Sequence, residues 1–405
     1  MKEEQKDPRR IPEDSILEDR NLVERMREEE RELHERSQAI AALSQKGYQL
    51  LKENCIREAN ECFNEILKYD SDNNYALVGL GDGARKRRDY KKGIEYYNKC
   101  LEKHPENNYA LFGLADCYKG LRFYNRAIEI WERYLKHDDR NVTVLTRVAD
   151  AYRKVRDLDR SREIYLRVLD MEEDNAYALI GLGHLHYDFK EYEQAMHYWE
   201  RMYSNRGDKV DIRVLTSLGN CHRKLKTFEK GIEYFKQALD REPDNFYALF
   251  GLADCYRGMN LPNESLEYWE TILARDPENK VILTRAGDGY RVLGEYDRAE
   301  QYYRKALNIE FDTYAILGLA LINKQKGLYR EAIESLEGLI KSDPNNHRLY
   351  TEIADCHIQL GERNEALEVL QRFIRLGYKS HFVAEMYERL RRGETNIPSD
   401  PGVNS

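Results

Sequence analysis

The sequence predicts an all-α fold, a right-handed α-solenoid (superhelix) of antiparallel helix pairs, and two observations predict it. The first is self-similarity. YALFGLADCYKG from Tyr109, YALIGLGHLHYD from Tyr177, YALFGLADCYRG from Tyr247 and YAILGLALINKQ from Tyr314 can be laid over one another. Between them lie sister copies: VLTRVADAYRK from Val144, VLTSLGNCHRK from Val214 and ILTRAGDGYRV from Ile282. The second is a fixed spacing of small residues. Gly47, Gly81, Ala115, Ala149, Gly183, Gly219, Ala253, Gly287, Ala320 and Ala354 stand 34 apart, except for steps of 36 to Gly219 and 33 to Ala320. A period of this length is the signature of stacked supersecondary units, none of which can bury its apolar face alone.

The elements follow in order. Residues 1–14 are charged, without an apolar run, and predict a disordered N-terminus with no secretory signal. Residues 15–39 predict a helix whose stripe of Met26, Leu33 and Ile40 fills one apolar position per heptad. That is thin for a coiled-coil seam, so a solvated capping helix is expected, with a dimer through this helix as the alternative.

Residues 40–380 predict ten helix pairs. With each unit numbered so that the small residue above is position 8, a second small residue stands at 20 (Ala59, Gly93, Ala127, Ser161, Ala195, Gly231, Ser265, Ala299, Ala332, Ala366). At about 100° per residue, positions 4, 7, 8 and 11 of the first helix share one face, and the small residues let the second helix approach it. Polar turns such as HPENN and EPDNF stop one helix and cap the next. The insertion YSNRGDKVD, residues 203–211, is expected as a surface loop. Residues 381–393 predict a C-terminal capping helix, and residues 394–405 a disordered tail.

This register resembles that of the tetratricopeptide repeat family. Besides the small residues at 8 and 20 there is an aromatic at 11 (Tyr118, Tyr152, Tyr256, Tyr290), a bulky residue at 24 (Phe63, Trp131, Trp199, Trp269) and proline at 32 (Pro105, Pro243, Pro277, Pro344). Position 27, small in the family, is often large here (Tyr134, Met202, Ile272). The resemblance implies a protein-interaction scaffold or adaptor, not an enzyme, whose first-helix positions 2, 5, 6, 9, 12 and 13 line a concave groove for a peptide or protein partner.

Along that face, position 9 carries Asp116, Asp150, His184, Asp254 and Asp288, and position 12 carries Lys119, Arg153, Arg223, Arg257 and Arg291. Positions 2 and 5 pair Tyr109 with Phe112, Tyr177 with Ile180 and Tyr247 with Phe250 in one kind of unit, against threonine at position 5 in the other. Position 6 alternates between Gly113, Gly181, Gly251 and Gly318 and the set Arg147, Ser217, Arg285 and Glu352, so the true period is two units. Aromatic patches alternating with Thr and Arg suit an extended peptide. The plainer account is that Asp at 9 and Arg at 12 are i,i+3 partners within one helix. The family's Lys/Asn clamp for a chain terminus is not matched, nor is the asparagine row at position 6 of certain glycosyltransferase arrays.

Other functions find little support. The net charge of -8 with interspersed signs, and Asp at 9 beside Arg at 12, disfavour nucleic acid, although stacking tyrosines and arginines keep single-stranded RNA as the rival reading. A regulatory subunit of a separate enzyme is a third. No window approaches the roughly 18 apolar residues of a membrane span. Seven scattered cysteines without a CxxC pair read as reduced core residues, and cytoplasmic residence is expected. Gly79, Gly81 and Gly83 fall at helix positions, not in a phosphate loop, and His184, His186 and His222 do not share one face as metal ligands would. No cofactor is expected.

Overall fold

A computed structural model describes residues 13–394. Regular structure among them is entirely helical, twenty-one α-helices and one 3-10 turn, with no strand among the described residues. The segments expected to be disordered, 1–14 and 394–405, lie outside the described residues apart from Glu13, Asp14 and Glu394. The chain divides into two compact units, Met1–Leu185 and His186–Ser405.

The N-terminal unit runs through α1 (Glu13–Lys52), α2 (Ile56–Tyr69), α3 (Asn74–Lys86), α4 (Tyr90–Lys103), α5 (Asn108–Gly120), α6 (Tyr124–Leu135), α7 (Val142–Lys154) and α8 (Leu158–Met171), and ends within α9 (Ala176–Asp188). In it α1 packs on α2, α3 on α4, α5 on α6 and α7 on α8, while α2, α4 and α6 pack on α3, α5 and α7, and α1, α3 and α5 also touch in succession. The C-terminal unit continues with α10 (Tyr192–Arg206), α11 (Ile212–Lys224), α12 (Phe228–Arg241), α13 (Phe246–Gly258), α14 (Pro262–Leu273), α15 (Lys280–Val292), α16 (Tyr296–Ile309), α17 (Thr313–Gln325), α18 (Tyr329–Ile340), α19 (His347–Gln359), α20 (Arg363–Arg375) and α21 (His381–Arg392). Its first helices touch at α11–α13, α15–α17 and α19–α21.

Local chemistry sets both turns of each pair. Asparagine before a first helix accepts a bond from the N–H three residues on: Asn73 from Ala76, Asn107 from Ala110, Asn141 from Val144, Asn245 from Ala248 and Asn279 from Ile282. This cap satisfies one of the orphan donors at the helix start. The turn inside each pair needs one left-handed residue. Arg88, Arg122, Arg156, Lys190, Lys226 and Asn260 hold φ between 60° and 67° there, whereas Gly294, Gly327 and Gly361 hold 77° to 79°.

The core explains the two-unit period at position 6. Where the residue at 24 is Phe or Tyr, its ring packs directly against a glycine at position 6 of the following first helix: Phe63 on Gly79, Tyr97 on Gly113, Tyr165 on Gly181, Phe235 on Gly251 and Tyr303 on Gly318. A Cβ at any of these glycines would overlap the ring. Where the residue at 24 is Trp131, Trp199 or Trp269, the next position 6 is Arg147, Ser217 or Arg285. The alternation is thus a packing code, and the ring fills the space that glycine leaves.

Two elements differ in extent from their sequence-based expectation. The segment 15–39 and the first helix of the first pair form one continuous α1, since SQAIAALSQKG contains nothing that breaks a helix. Arg36 on α1 donates to the Tyr69 carbonyl at 3.0 Å, tying it to the end of α2. The insertion at 203–211 is half helical: it extends α10, forms the 3-10 turn Gly207–Lys209, and buries Val210, whose carbonyl accepts from Arg241 at 2.6 Å.

Candidate interaction face

The first-helix face separates the sequence-predicted residues into two classes. Position 2 stands out into solvent in both units: Tyr109 and Tyr177 are 80% and 75% exposed in the N-terminal unit, Tyr247 and Tyr314 69% and 73% in the C-terminal unit. Position 5 does not. Phe112 is half-buried against the Trp131 cluster with the Arg147 guanidinium 4.9 Å from its ring centroid, and Phe250 meets Trp269 edge-on at 5.2 Å. His184 is half-buried.

Positions 6, 9 and 12 are joined in an ion-pair ladder that runs between helix pairs. Arg85 donates to Asp82 in its own helix and to Asp116 in the next first helix, both at 2.8 Å, and Arg147 reaches back to Asp116 at 2.7 Å. Asp150 is held by Arg153 at 2.9 Å and by Lys119, one pair earlier, at 3.3 Å. Burial pushes the Asp150 carboxyl up, but Lys119 and Arg153 outweigh it and hold it below the ordinary value. Tyr97, the ring on Gly113, donates to Asp82 at 2.8 Å and so ties core to ladder. The ladder fixes the register of neighbouring pairs, and its charges are largely spent on one another.

In the C-terminal unit Asp254 is buried between Arg223 at 2.6 Å and Arg257 at 2.9 Å. Burial pushes its carboxyl up, yet Arg257 and Arg223, aided by Arg285, hold it below the ordinary value. Asp288 accepts from Tyr303 at 2.7 Å, and Lys324 bridges Glu352 at 2.6 Å and Asp355 at 2.5 Å. Arg285 and Arg291 join none of these bridges and instead line a cavity of about 160 Å³.

A larger recess lies in the N-terminal unit. Tyr48, Tyr75, Tyr109, Asn107, Val78 and Asp82 line a volume of about 760 Å³ between α1, α3 and the start of α5. That falls inside the roughly 300–1,000 Å³ typical of ligand sites. The Tyr48 hydroxyl donates to the Tyr75 carbonyl at 2.9 Å, fixing one wall. Elsewhere His186 pairs with Glu191 at 2.6 Å and His222 with Thr227 at 2.9 Å, and no group of three potential metal ligands gathers among the described residues.

Sequence reasoning passed over Tyr48, Tyr75, Tyr314 and Arg348 as site residues. Tyr75, 60% exposed, and Tyr314 belong to the same position-2 row as Tyr109. Tyr48 stands at position 9 of the first unit, where the next units carry Asp.

One family model described as tetratricopeptide repeat matches residues 44–107, 80–135, 146–208 and 256–315, and a second, also so described, matches 223–281 and 325–377. The first alone spans more than half of the chain. The protein belongs to the tetratricopeptide repeat family. Solved structures similar to this tetratricopeptide repeat chain include a tetratricopeptide repeat protein from Parabacteroides merdae, 15% identical with a TM-score of 0.38, covering 70% of this chain and 99% of that one. PilW, a type IV pilus biogenesis factor, is 20% identical with a TM-score of 0.45 over 49% and 91%. MamA is 22% identical with a TM-score of 0.38 over 42% and 92%. Among curated proteins none matches. No helix among the described residues is long and apolar enough to cross a membrane.

Proposed function

We propose that this tetratricopeptide repeat protein is a non-catalytic scaffold that holds extended segments of a protein partner along the first-helix face of each unit, in the groove expected of such repeats. The supporting observation is the tyrosine row: Tyr75, Tyr109, Tyr177, Tyr247 and Tyr314 present 60–80% of their surface to solvent from the same repeat position. A tyrosine offers large contact area and a hydroxyl with few rotors to freeze, which favours it at interfaces. The charged rows brace the face. Asp116, Lys119, Arg147, Asp150, Arg153, Arg223, Asp254 and Arg257 act through the register they impose on the tyrosines.

This division favours protein over single-stranded RNA. Phosphate contacts need cations free along the row, and Arg85, Arg147, Arg153, Arg223 and Arg257 are already bridged to aspartates. A cytoplasmic setting accords with seven free cysteines, six of them buried. A partner enzyme, with this chain as its regulatory subunit, is one form the scaffold takes.

The test is capture of partners by the wild-type chain and by a variant with serine at Tyr75, Tyr109, Tyr177, Tyr247 and Tyr314, each with and without nuclease. A protein lost from the variant while helix content is unchanged supports the reading. Equal capture by both removes the face as the site, and nuclease-sensitive capture replaces the protein reading with RNA.

A further inference from the structure

The ladder has a gap in the C-terminal unit. Its rule, set by Arg85 to Asp116 and Arg223 to Asp254, joins the cation at position 12 to the acid at position 9 of the next first helix. Arg291 at position 12 of α15 meets Leu321 at that place in α17, so the ladder offers it no carboxylate. Arg285 is the counterpart of Arg147, but its acceptor Asp254 is already held by Arg223 and Arg257. Neither Arg285 nor Arg291 forms an ion pair among the described residues.

Both line the 160 Å³ cavity with Arg257, Arg348 and Tyr314, over a floor of Leu317 and Leu321. The Nε donors of Arg291 and Arg348 are buried without a hydrogen-bond partner, although Arg348 Nε stands 3.9 Å from the Glu352 carboxylate and the Arg291 guanidinium lies against the Tyr303 hydroxyl. Arg85 and Arg153 also have an unpartnered Nε, but their guanidinium ends are bridged to aspartates. Arg257, Arg285, Arg291 and Arg348 of the lining, with Arg223 behind them, set against Asp254, Asp288 and Glu352, leave a surplus of two positive charges.

We propose that this cavity binds the phosphoryl group of a phosphorylated serine or threonine on the protein partner, a specificity that rests on the scaffold reading above. The volume is too small for a whole ligand of roughly 300 Å³ and suits a single functional group. A phosphate monoester near pH 7 brings nearly two negative charges and three acceptor oxygens, matching the surplus and the orphan donors. A carboxylate brings one charge and two oxygens. The apolar floor lowers the local dielectric and strengthens the attraction. Asp288, the acid in the lining, accepts a bond from Tyr303. Tyr314, 73% exposed at the rim, places the cavity on the tyrosine row, so a segment lying on that row passes over it.

The test uses the full chain with 15N-labelled arginine, following the Nε–H resonances while an acetylated, amidated Ala-Ala-phosphoserine-Ala-Ala peptide is titrated in. Parallel titrations use the same peptide with glutamate at the centre, inorganic phosphate, and a uridine oligonucleotide. Saturable shifts at Arg291 and Arg348 are expected, about tenfold tighter for phosphoserine than for glutamate, and lost in Arg285→Gln with Arg291→Met. If that variant loses helix content, Arg285→Lys, which keeps the charge without the fork, is expected to weaken binding about tenfold. No saturable shift, equal affinity for the glutamate peptide, equal affinity for free phosphate, tighter binding of the oligonucleotide, or an unaffected Arg285→Lys each overturns the proposal. Because the probe is one short peptide on one cavity, its failure leaves the tyrosine-row test standing.

Discussion

Gly113 packs against the outer end of the ring of Tyr97, the second-helix aromatic of the preceding pair, so closely that a Cβ at Gly113 would overlap it. The same relationship joins Phe235 to Gly251 and Tyr303 to Gly318. Gly113→Ala therefore forces a buried ring to move and is expected to destabilise the protein by about 2 kcal/mol. Gly338, with nothing within 4 Å of a Cβ, is the control. Gly338→Ala is expected to stabilise α18 by roughly 0.5–1 kcal/mol, because Gly costs that much in a helix. Urea denaturation followed by circular dichroism measures both.

The Asp254 carboxylate, buried between Arg223 and Arg257, leaves two cations without their acceptor when removed. Asp254→Ala is expected to cost about 3 kcal/mol. The pH dependence has a definite sign. Asp150 and Asp254 have carboxyls held below the ordinary value of 3.8 in the folded chain, so their stabilisation is full above that value. It is lost as pH falls through the depressed folded values. Thermal denaturation from pH 7 to pH 3 should show a falling midpoint below about pH 4, and the fall should be shallower in Asp254→Ala.

Arg122 holds φ of 64° in the turn between α5 and α6, where Gly294 fills the equivalent place between α15 and α16. A left-handed conformation costs an L-residue about 1–2 kcal/mol, partly offset by the greater unfolded-state freedom of glycine. Arg122→Gly is expected to gain about 0.5–1 kcal/mol. A loss of stability in the same urea titration would show that the arginine side chain holds this turn.

Six of the seven cysteines are buried, and burial pushes the thiols of Cys117, Cys221 and Cys255 up to about 12. Thiols so placed do not ionise at neutral pH and react slowly. Ellman's reagent at pH 8 is expected to titrate Cys55 quickly in the native chain and the remaining thiols only after denaturation. Fast reaction of several would contradict the packing of α2, α4, α5, α11, α13 and α19.

The sequence carried the fold because each pair repeats the same local signals: asparagine caps, small residues at 8 and 20, and an aromatic at 24. The candidate face was half legible. Tyr109, Tyr177 and Tyr247 are exposed as their position implies, whereas Phe112 and Phe250, in the same helices, turn onto Trp131 and Trp269. One sequence gives the angle of a residue about its helix axis and not the partner from the next pair. For the same reason Asp116 and Arg147 read as groove charges, although their bond spans 31 residues. The alternation of glycine at position 6 is legible in the sequence as a two-unit period, but the rings of the preceding second helices that require it are not.

Photocrosslinking from the tyrosine row tests the central claim most directly. Benzoylphenylalanine is placed at Tyr109 in one sample, and at the exposed Glu163 or Leu166 of α8, on a second helix, in two others. The scaffold account predicts that one protein partner crosslinks from Tyr109 and not from Glu163 or Leu166. Crosslinking from α8 with none from Tyr109 would contradict it and move the binding surface to the second helices.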